Sequence, residues 1–196
     1  MSEKIINKDN VTYYYLNGNL HREDGPAIIA SNYCKWFKNG KLHREDGPAI
    51  EYTNGSKKWY VNGLLHRDKF PAIEFFPGSK EFKNGVKKWF KNGKLHREDG
   101  PAEETNDCKS YYLNGKLHRE DGPAVEFRIG TKEWYKNGKL HREGGPAIEN
   151  VNGDKFWYKN DKQHREDGPA VELASGTKEW YKNGKLHRED GPAIEY

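Results

Sequence analysis

The side chains with the widest chemical reach in this chain recur as one tetrapeptide, His-Arg-Glu-Asp. Its last copy is His187-Arg188-Glu189-Asp190. An imidazole can act as a general base or a metal ligand. A carboxylate can act as an acid or base, and a guanidinium can hold an oxyanion or phosphate. An active site needs such groups in different roles, converging on one point. Neighbouring residues on a strand point to opposite faces, so His187 and Arg188 diverge. The motif is also not singular. The eight histidines of the chain are His21, His43, His66, His96, His118, His141, His164 and His187, and each is followed by Arg. Equal copies along a chain do not assemble one reaction centre. A zinc site usually needs three or four ligands, and no repeat adds a Cys or a second His. The chain therefore reads as a non-enzyme with no catalytic residues, no metal and no cofactor.

The elements that carry the motif follow from its spacing. Successive histidines lie 22, 23, 30, 22, 23, 23 and 23 residues apart. Each has Asn four residues before it, Pro five after and Ala six after. A fixed period of this length marks a repeat architecture. Asn-Gly between aromatic and apolar runs is the strongest short hairpin signal, because a type I′ turn needs positive φ at both positions. Seven copies have it, and the seventh copy has Asn160-Asp161 instead. The pattern predicts one strand at Trp180-Tyr181-Lys182 and a partner strand from Lys185 to Glu189. Tyr181 then faces Leu186, Trp180 faces His187, Glu179 faces Arg188 and Lys178 faces Glu189. The sixth copy repeats this set through Glu133, Trp134, Arg142 and Glu143. Asp-Gly-Pro ends the second strand, with Gly expected to supply an unusual backbone angle. The Ala-Ile-Glu-Tyr run extends again, and a Gly turn leads to the next copy. The predicted fold is all-β: an elongated, twisted meander of antiparallel β-hairpins in eight units of about 23 residues. Residues 1–10 read as a flexible lead-in. Residues 11–196 read as a single continuous array with an insertion at about 76–85.

Composition agrees with a thin structure. Hydrophobic and charged residues are each 33 % of the chain, the net charge is +4 and aromatics are 13 %. Mean hydropathy is −1.17. So little apolar matter suits an array in which each repeat packs on its neighbours. Cys34 and Cys108 fall in connections and read as ordinary thiols, because staples would recur in every unit. No run approaches the roughly 20 apolar residues of a membrane span, and Met1-Ser2-Glu3-Lys4 lacks a signal pattern. The expectation is a soluble, cytoplasmic protein.

Copies that break the pattern are where a partner would find a unique address. The third copy reads His66-Arg67-Asp68-Lys69-Phe70-Pro71, and the insertion follows it. The fourth has Glu103 in place of Ile or Val, the sixth has Gly144 in place of Asp, and the seventh has Gln163 in place of Leu. Phe70, Phe75, Phe76 and Phe82 cluster around the insertion, as anchors of an interface do. The insertion is expected to form a further short hairpin. Lysines flank the hairpin tips, Lys91 and Lys94 among them. Stacked in register they would form a basic ridge able to follow phosphates.

The phrase Trp-Tyr-Lys-Asn-Gly-Lys-Leu-His resembles the MORN repeat. With His-Arg-Glu-Asp-Gly-Pro-Ala after the turn, it is similar to the variant found in giant viruses, bacteriophages and some bacteria. The resemblance covers roughly residues 11–196. It implies an array of hairpins used for protein contacts or scaffolding, and some MORN proteins are linked with anionic lipids. It carries no catalytic residues. The expected function is a non-catalytic scaffold that binds a protein partner, as a viral or phage accessory protein acting on a host factor would. Binding of nucleic acid or anionic lipid through the lysine ridge is the alternative, with sequestration of a small molecule or nucleotide near the insertion as a further one.

Overall fold

The computed structural model describes residues 3–6, 10–76 and 85–196. The insertion tip, including Phe82, lies outside the described residues. The chain divides into two compact units. One comprises Met1–Arg97 with Ala102–Asn106, and the other comprises Glu98–Pro101 with Asp107–Tyr196. Each is built from the same two elements.

The first element is an antiparallel sheet. In the first unit its strands follow in the order Glu3–Ile6, Thr12–Leu16, Ile28–Ile29, Tyr33–Lys35, Ile50–Tyr52, Lys57–Lys58, Ile73–Phe75, Val86–Lys88 and Glu103–Glu104. In the second unit the order is Cys108–Ser110, Val125–Phe127, Lys132–Glu133, Ile148–Glu149, Lys155–Phe156, Val171–Glu172, Lys178–Glu179 and Ile194–Glu195. The expected lead-in thus contributes a strand. Ile5 and Ile6 pair with Tyr13 and Thr12, which gives the backbone of the first copy a partner on its open side.

The second element is a row of short hairpins, such as Phe37–Lys38 with Lys41–Leu42 and Tyr181–Lys182 with Lys185–Leu186. All eight tips have positive φ at both turn positions, from Asn17 at 49° with Gly18 at 73° to Asn183 at 54° with Gly184 at 83°. Asp161 takes the glycine place in the seventh copy at φ 67°. Tyr181 faces Leu186 and Trp180 bonds His187, as the two-residue loop requires.

Beyond the tryptophan the expected register fails. Glu179 opposes Ile194 and Lys178 opposes Glu195, while Glu133 opposes Ile148. The second strand stops at Leu186. The cause is that the tryptophan joins the two elements. Trp36 N–H donates to the Ala49 carbonyl of the sheet at 2.8 Å, and its own carbonyl accepts from His43 N–H of the hairpin at 3.1 Å. Trp180 makes the same pair of bonds with Ala193 and His187, at 2.9 Å each. One residue cannot pair both ways without the two strands parting.

In each unit the core is a seam beside this junction. Ala27, Ala49, Ala72, Ala102, Ala124, Ala147 and Ala170 are fully buried, with Ile28, Ile50, Ile73, Val125 and Val171 next to them. These alanines are the ones whose carbonyls accept the N–H of the joining Trp or Tyr. The sheet carries a charged row in place of an apolar one. In the second unit Lys109, Glu126, Lys132, Glu149, Lys155, Glu172, Lys178 and Glu195 stand opposite one another in turn. Each opposite-charge pair contributes roughly 0.2–1 kcal/mol. This row accounts for the low hydropathy of a folded chain.

Candidate functional site

The His-Arg-Glu-Asp segments turn out to be clamps. In all eight copies the guanidinium lies over the aromatic ring that joins hairpin to sheet. Arg22 is 4.1 Å from the Tyr14 ring centre, Arg44 4.2 Å from Trp36, Arg142 3.8 Å from Trp134 and Arg188 3.8 Å from Trp180. In complete copies its edge then reaches three acceptors. Arg44 donates from Nε to Asp46 at 2.9 Å, and from Nη1 to the Pro48 carbonyl at 3.3 Å and to Glu51 at 3.0 Å. Arg165 repeats the set with Asp167, Pro169 and Glu172 at 2.9, 3.2 and 2.8 Å. The guanidinium holds the carboxyl groups of Asp24, Asp46, Asp121, Asp167 and Asp190 below the usual range, by hydrogen bonding first and by its charge second in most of them.

The Asp-Gly-Pro glycine serves this clamp. Its φ is not in the left-handed region. A Cβ on Gly47 would stand 2.7 Å from Arg44 Cζ, and on Gly145 3.0 Å from Arg142 Cζ. Glycine is present because the guanidinium packs on its backbone. This corrects the expectation of an unusual backbone angle.

Several histidines link one hairpin to the next. Nδ1 of His43 accepts the Asn62 backbone N–H at 3.1 Å, and His118 and His164 accept those of Asn137 and Asn183 at 3.1 and 3.2 Å. That bond fixes the tautomer with its proton on Nε2, which faces the Glu two residues on, as His43 faces Glu45 at 3.2 Å. Imidazole, guanidinium and carboxylates are thus engaged in structure. Among the described residues, no group of three or more His, Cys, Asp or Glu side chains is placed to hold a metal ion. Among the same residues no helix is long and apolar enough to cross a membrane. Cys34 and Cys108 are not in a disulfide, and both are half-buried. Burial, and then Glu51, push the Cys34 thiol up.

The structure brings together some of the predicted contact residues and separates others. Phe75 and Phe76 line one groove of about 320 Å³ with Val86, Lys87 and Glu104. Phe76 is 48 % exposed. Phe70 lies before the strand Ile73–Phe75, on the clamp loop of the third copy, and Phe76 follows the same strand. Phe70 is 60 % exposed, with Arg67 5.0 Å from its ring centre. Lys91 and Lys94 face each other across the next hairpin, and both are exposed. That hairpin touches the third copy through Arg67 N–H, which donates to the Phe90 carbonyl at 3.2 Å.

Lys69 is the feature that sequence reasoning missed. It stands where other copies have the clamp Asp, and its φ is 60°. Gly144, at the same place in the sixth copy, has φ 75°. Where no Asp accepts from the guanidinium, the loop turns over into the left-handed region. Glycine does so freely, whereas lysine pays roughly 1–2 kcal/mol. Such strain concentrates at functional sites. The substitutions were visible in the sequence, but their effect on the backbone was not.

The two elements and their clamps define a class: an all-β repeat protein made of hairpins hung from a sheet, with its ionisable motif used as structure. A family model described as a MORN repeat variant matches residues 104–121, and the chain is MORN-repeat-like. No curated protein matches the chain significantly.

Proposed function

We propose that the chain is a non-catalytic scaffold that binds a protein partner through the clamp loop of its third copy. The observation that carries this reading is Phe70: a large aromatic side chain, 60 % exposed, at a place where the other copies have glycine. It is presented on the strained Lys69 and braced by Arg67. An aromatic ring held out at low entropic cost is the kind of residue that dominates protein interfaces. The other seven clamp loops form the frame that positions it.

The test is a photo-crosslinking benzoyl-phenylalanine placed at position 70 in the full chain, expressed in the cells that make it. A control carries the same group at Ile129, which is 70 % exposed on a turn. A discrete protein adduct at 70 and not at 129 supports the reading. No adduct at 70, or the same adducts at both places, overturns it.

A second reading rests on the hairpin tips. Lys38 faces Lys41, Lys136 faces Lys139, Lys159 faces Lys162 and Lys182 faces Lys185, all of them exposed. Like charges directly opposite one another destabilise a hairpin, so the arrangement answers to something other than stability. A polyanion partner fits it. Binding that falls steeply with salt and survives loss of Phe70 would favour this reading over the first.

A further inference from the structure

In five copies the clamp Asp accepts from the guanidinium Nε. The distances are 2.8 Å for Arg22 with Asp24, 2.9 Å for Arg44, Arg119 and Arg165 with their partners, and 3.0 Å for Arg188 with Asp190. In the sixth copy that place belongs to Gly144. Arg142 keeps its Nη1 bonds to the Pro146 carbonyl at 3.0 Å and to Glu149 at 2.7 Å, and its place over Trp134. Among the described residues its Nε–H has no acceptor. At 30 % it is the most exposed clamp arginine among the ion pairs, against 22 % for Arg119 and Arg165. The space beside it is open, since a Cβ on Gly144 would meet nothing within 4 Å. The third copy also lacks the Asp, but there the Phe70 ring stands beside Arg67 and Lys69 brings a cation.

A second, independent departure falls at the same spot. The His141 side chain is only 10 % exposed, yet neither ring nitrogen has a hydrogen-bond partner. Its Nε2 is 3.6 Å from Glu143, beyond hydrogen-bond reach. The hairpin that follows it has Asp161 at its tip in place of Gly. The Asp161 carboxylate takes the Leu140 N–H at 2.8 Å, and no hairpin N–H reaches His141 Nδ1. A buried polar ring left unpaired is costly, so a native structure that keeps one invites a partner for it. His141, Arg142, Gly144 and Gly145 line one groove of about 480 Å³.

The charge of that groove fits an anion better than its counterpart does. Arg142, Arg165 and Lys159 stand against Glu143, Glu166 and Asp167, so the lining is balanced. The corresponding groove of the first unit sets Arg22, Lys38 and Arg44 against four carboxylates, Glu23, Asp24, Glu45 and Asp46. The sixth copy lacks one negative charge, at the atom where five other copies bind it.

We infer that the sixth copy is a receptor for a carboxylate presented by an acidic peptide segment of a partner. The carboxylate takes the Arg142 Nε–H, as the clamp Asp does elsewhere, and the same segment offers a polar group to the His141 ring. This site is separate from the Phe70 surface, and either can fail without the other.

The experiment uses the full chain, with the nine arginine Nε–H signals and the histidine ring signals followed by NMR. The probes are the peptide acetyl-Gly-Asp-Gly-amide, its Asn analogue and inorganic phosphate. The expected result is a saturable shift of the Arg142 Nε–H and His141 signals with the Asp peptide alone, and an affinity at least tenfold weaker for the Asn analogue. Gly144→Asp should abolish the response by supplying the carboxylate from within. It restores the loop sequence of six other copies, so folding is expected to persist, and unchanged signals from the other clamps verify it. Equal shifts of all eight clamp arginines, no shift at Arg142, or a full response in Gly144→Asp would each overturn the inference. Tighter saturation by phosphate than by the Asp peptide would overturn the assignment to a carboxylate.

Discussion

Gly47→Ala puts the clamp to a quantitative test. Its added Cβ would lie 2.7 Å from Arg44 Cζ and 2.9 Å from Nε. The guanidinium cannot retreat in place, because Trp36 is 4.2 Å away and the bonds to Asp46, Pro48 and Glu51 fix its plane. Displacing it removes a cation–π contact of about 0.5–1 kcal/mol. It also removes the bond to Glu51, which would contribute ~1.5–3 kcal/mol at full strength. The Glu51 carboxylate is 41 % exposed, so solvent recovers part of that. The bond to the exposed Asp46 is screened by solvent and adds little to these losses. Against these losses, alanine stiffens the unfolded chain and stabilises by ~0.4–1 kcal/mol. The net expectation is a loss of about 1–2 kcal/mol. With Arg44→Ala already present the conflict is gone, and Gly47→Ala should then stabilise by ~0.4–1 kcal/mol. The coupling in this cycle is therefore about 2 kcal/mol. Urea midpoints of the four proteins measure it, with hydrogen exchange of the Trp36 N–H as the local readout. An equal cost in both backgrounds would refute the clamp, because the glycine would then be serving its own backbone.

Three further outcomes are expected. The clamp carboxyl groups at Asp24, Asp46, Asp121, Asp167 and Asp190 are depressed in the fold. Their stabilisation is present above the unfolded carboxylate range, near pH 4, and is lost as pH falls through the folded values; urea midpoints between pH 2 and 6 should fall less steeply in an Asp46→Asn, Asp167→Asn variant. Burial first, then the charge and hydrogen bond of Glu133, push the Tyr135 phenol up to about 12. Stability should drop between pH 10 and 12 as the unfolded chain ionises first, and ultraviolet titration should show Tyr135 ionising earlier in Glu133→Gln. Trp89 is 8 % exposed, and Trp89→Ala should cost ~3–5 kcal/mol, clearly more than Trp180→Ala, as read by thermal unfolding.

The sequence made the hairpins legible because Asn-Gly turns have one physical explanation, and the φ values at Asn39 and Gly40 follow it. The class of fold came from the same signal. The register beyond the tryptophan did not, because Glu179 and Arg188 are adjacent on paper and only the double bonding of Trp180 drives them apart. The glycine of Asp-Gly-Pro was misread for a related reason: its neighbour is a guanidinium packed back across the loop, which local rules do not show. Gly144 and Asp161 were visible as departures 17 residues apart. That both act on His141 and Arg142 required the packing of one hairpin on the next.

We propose that the regular copies are frame and that the third copy carries the contact. The most direct measurement is the affinity of the crosslinked partner for a chain whose third copy is restored to the majority sequence by Lys69→Asp and Phe70→Gly. This variant should be as stable as the parent or more so, since the strain at Lys69 is relieved, and should bind at least thirtyfold more weakly, the loss of about 2 kcal/mol that marks a hot spot. A restored chain that folds and keeps its affinity would contradict the account.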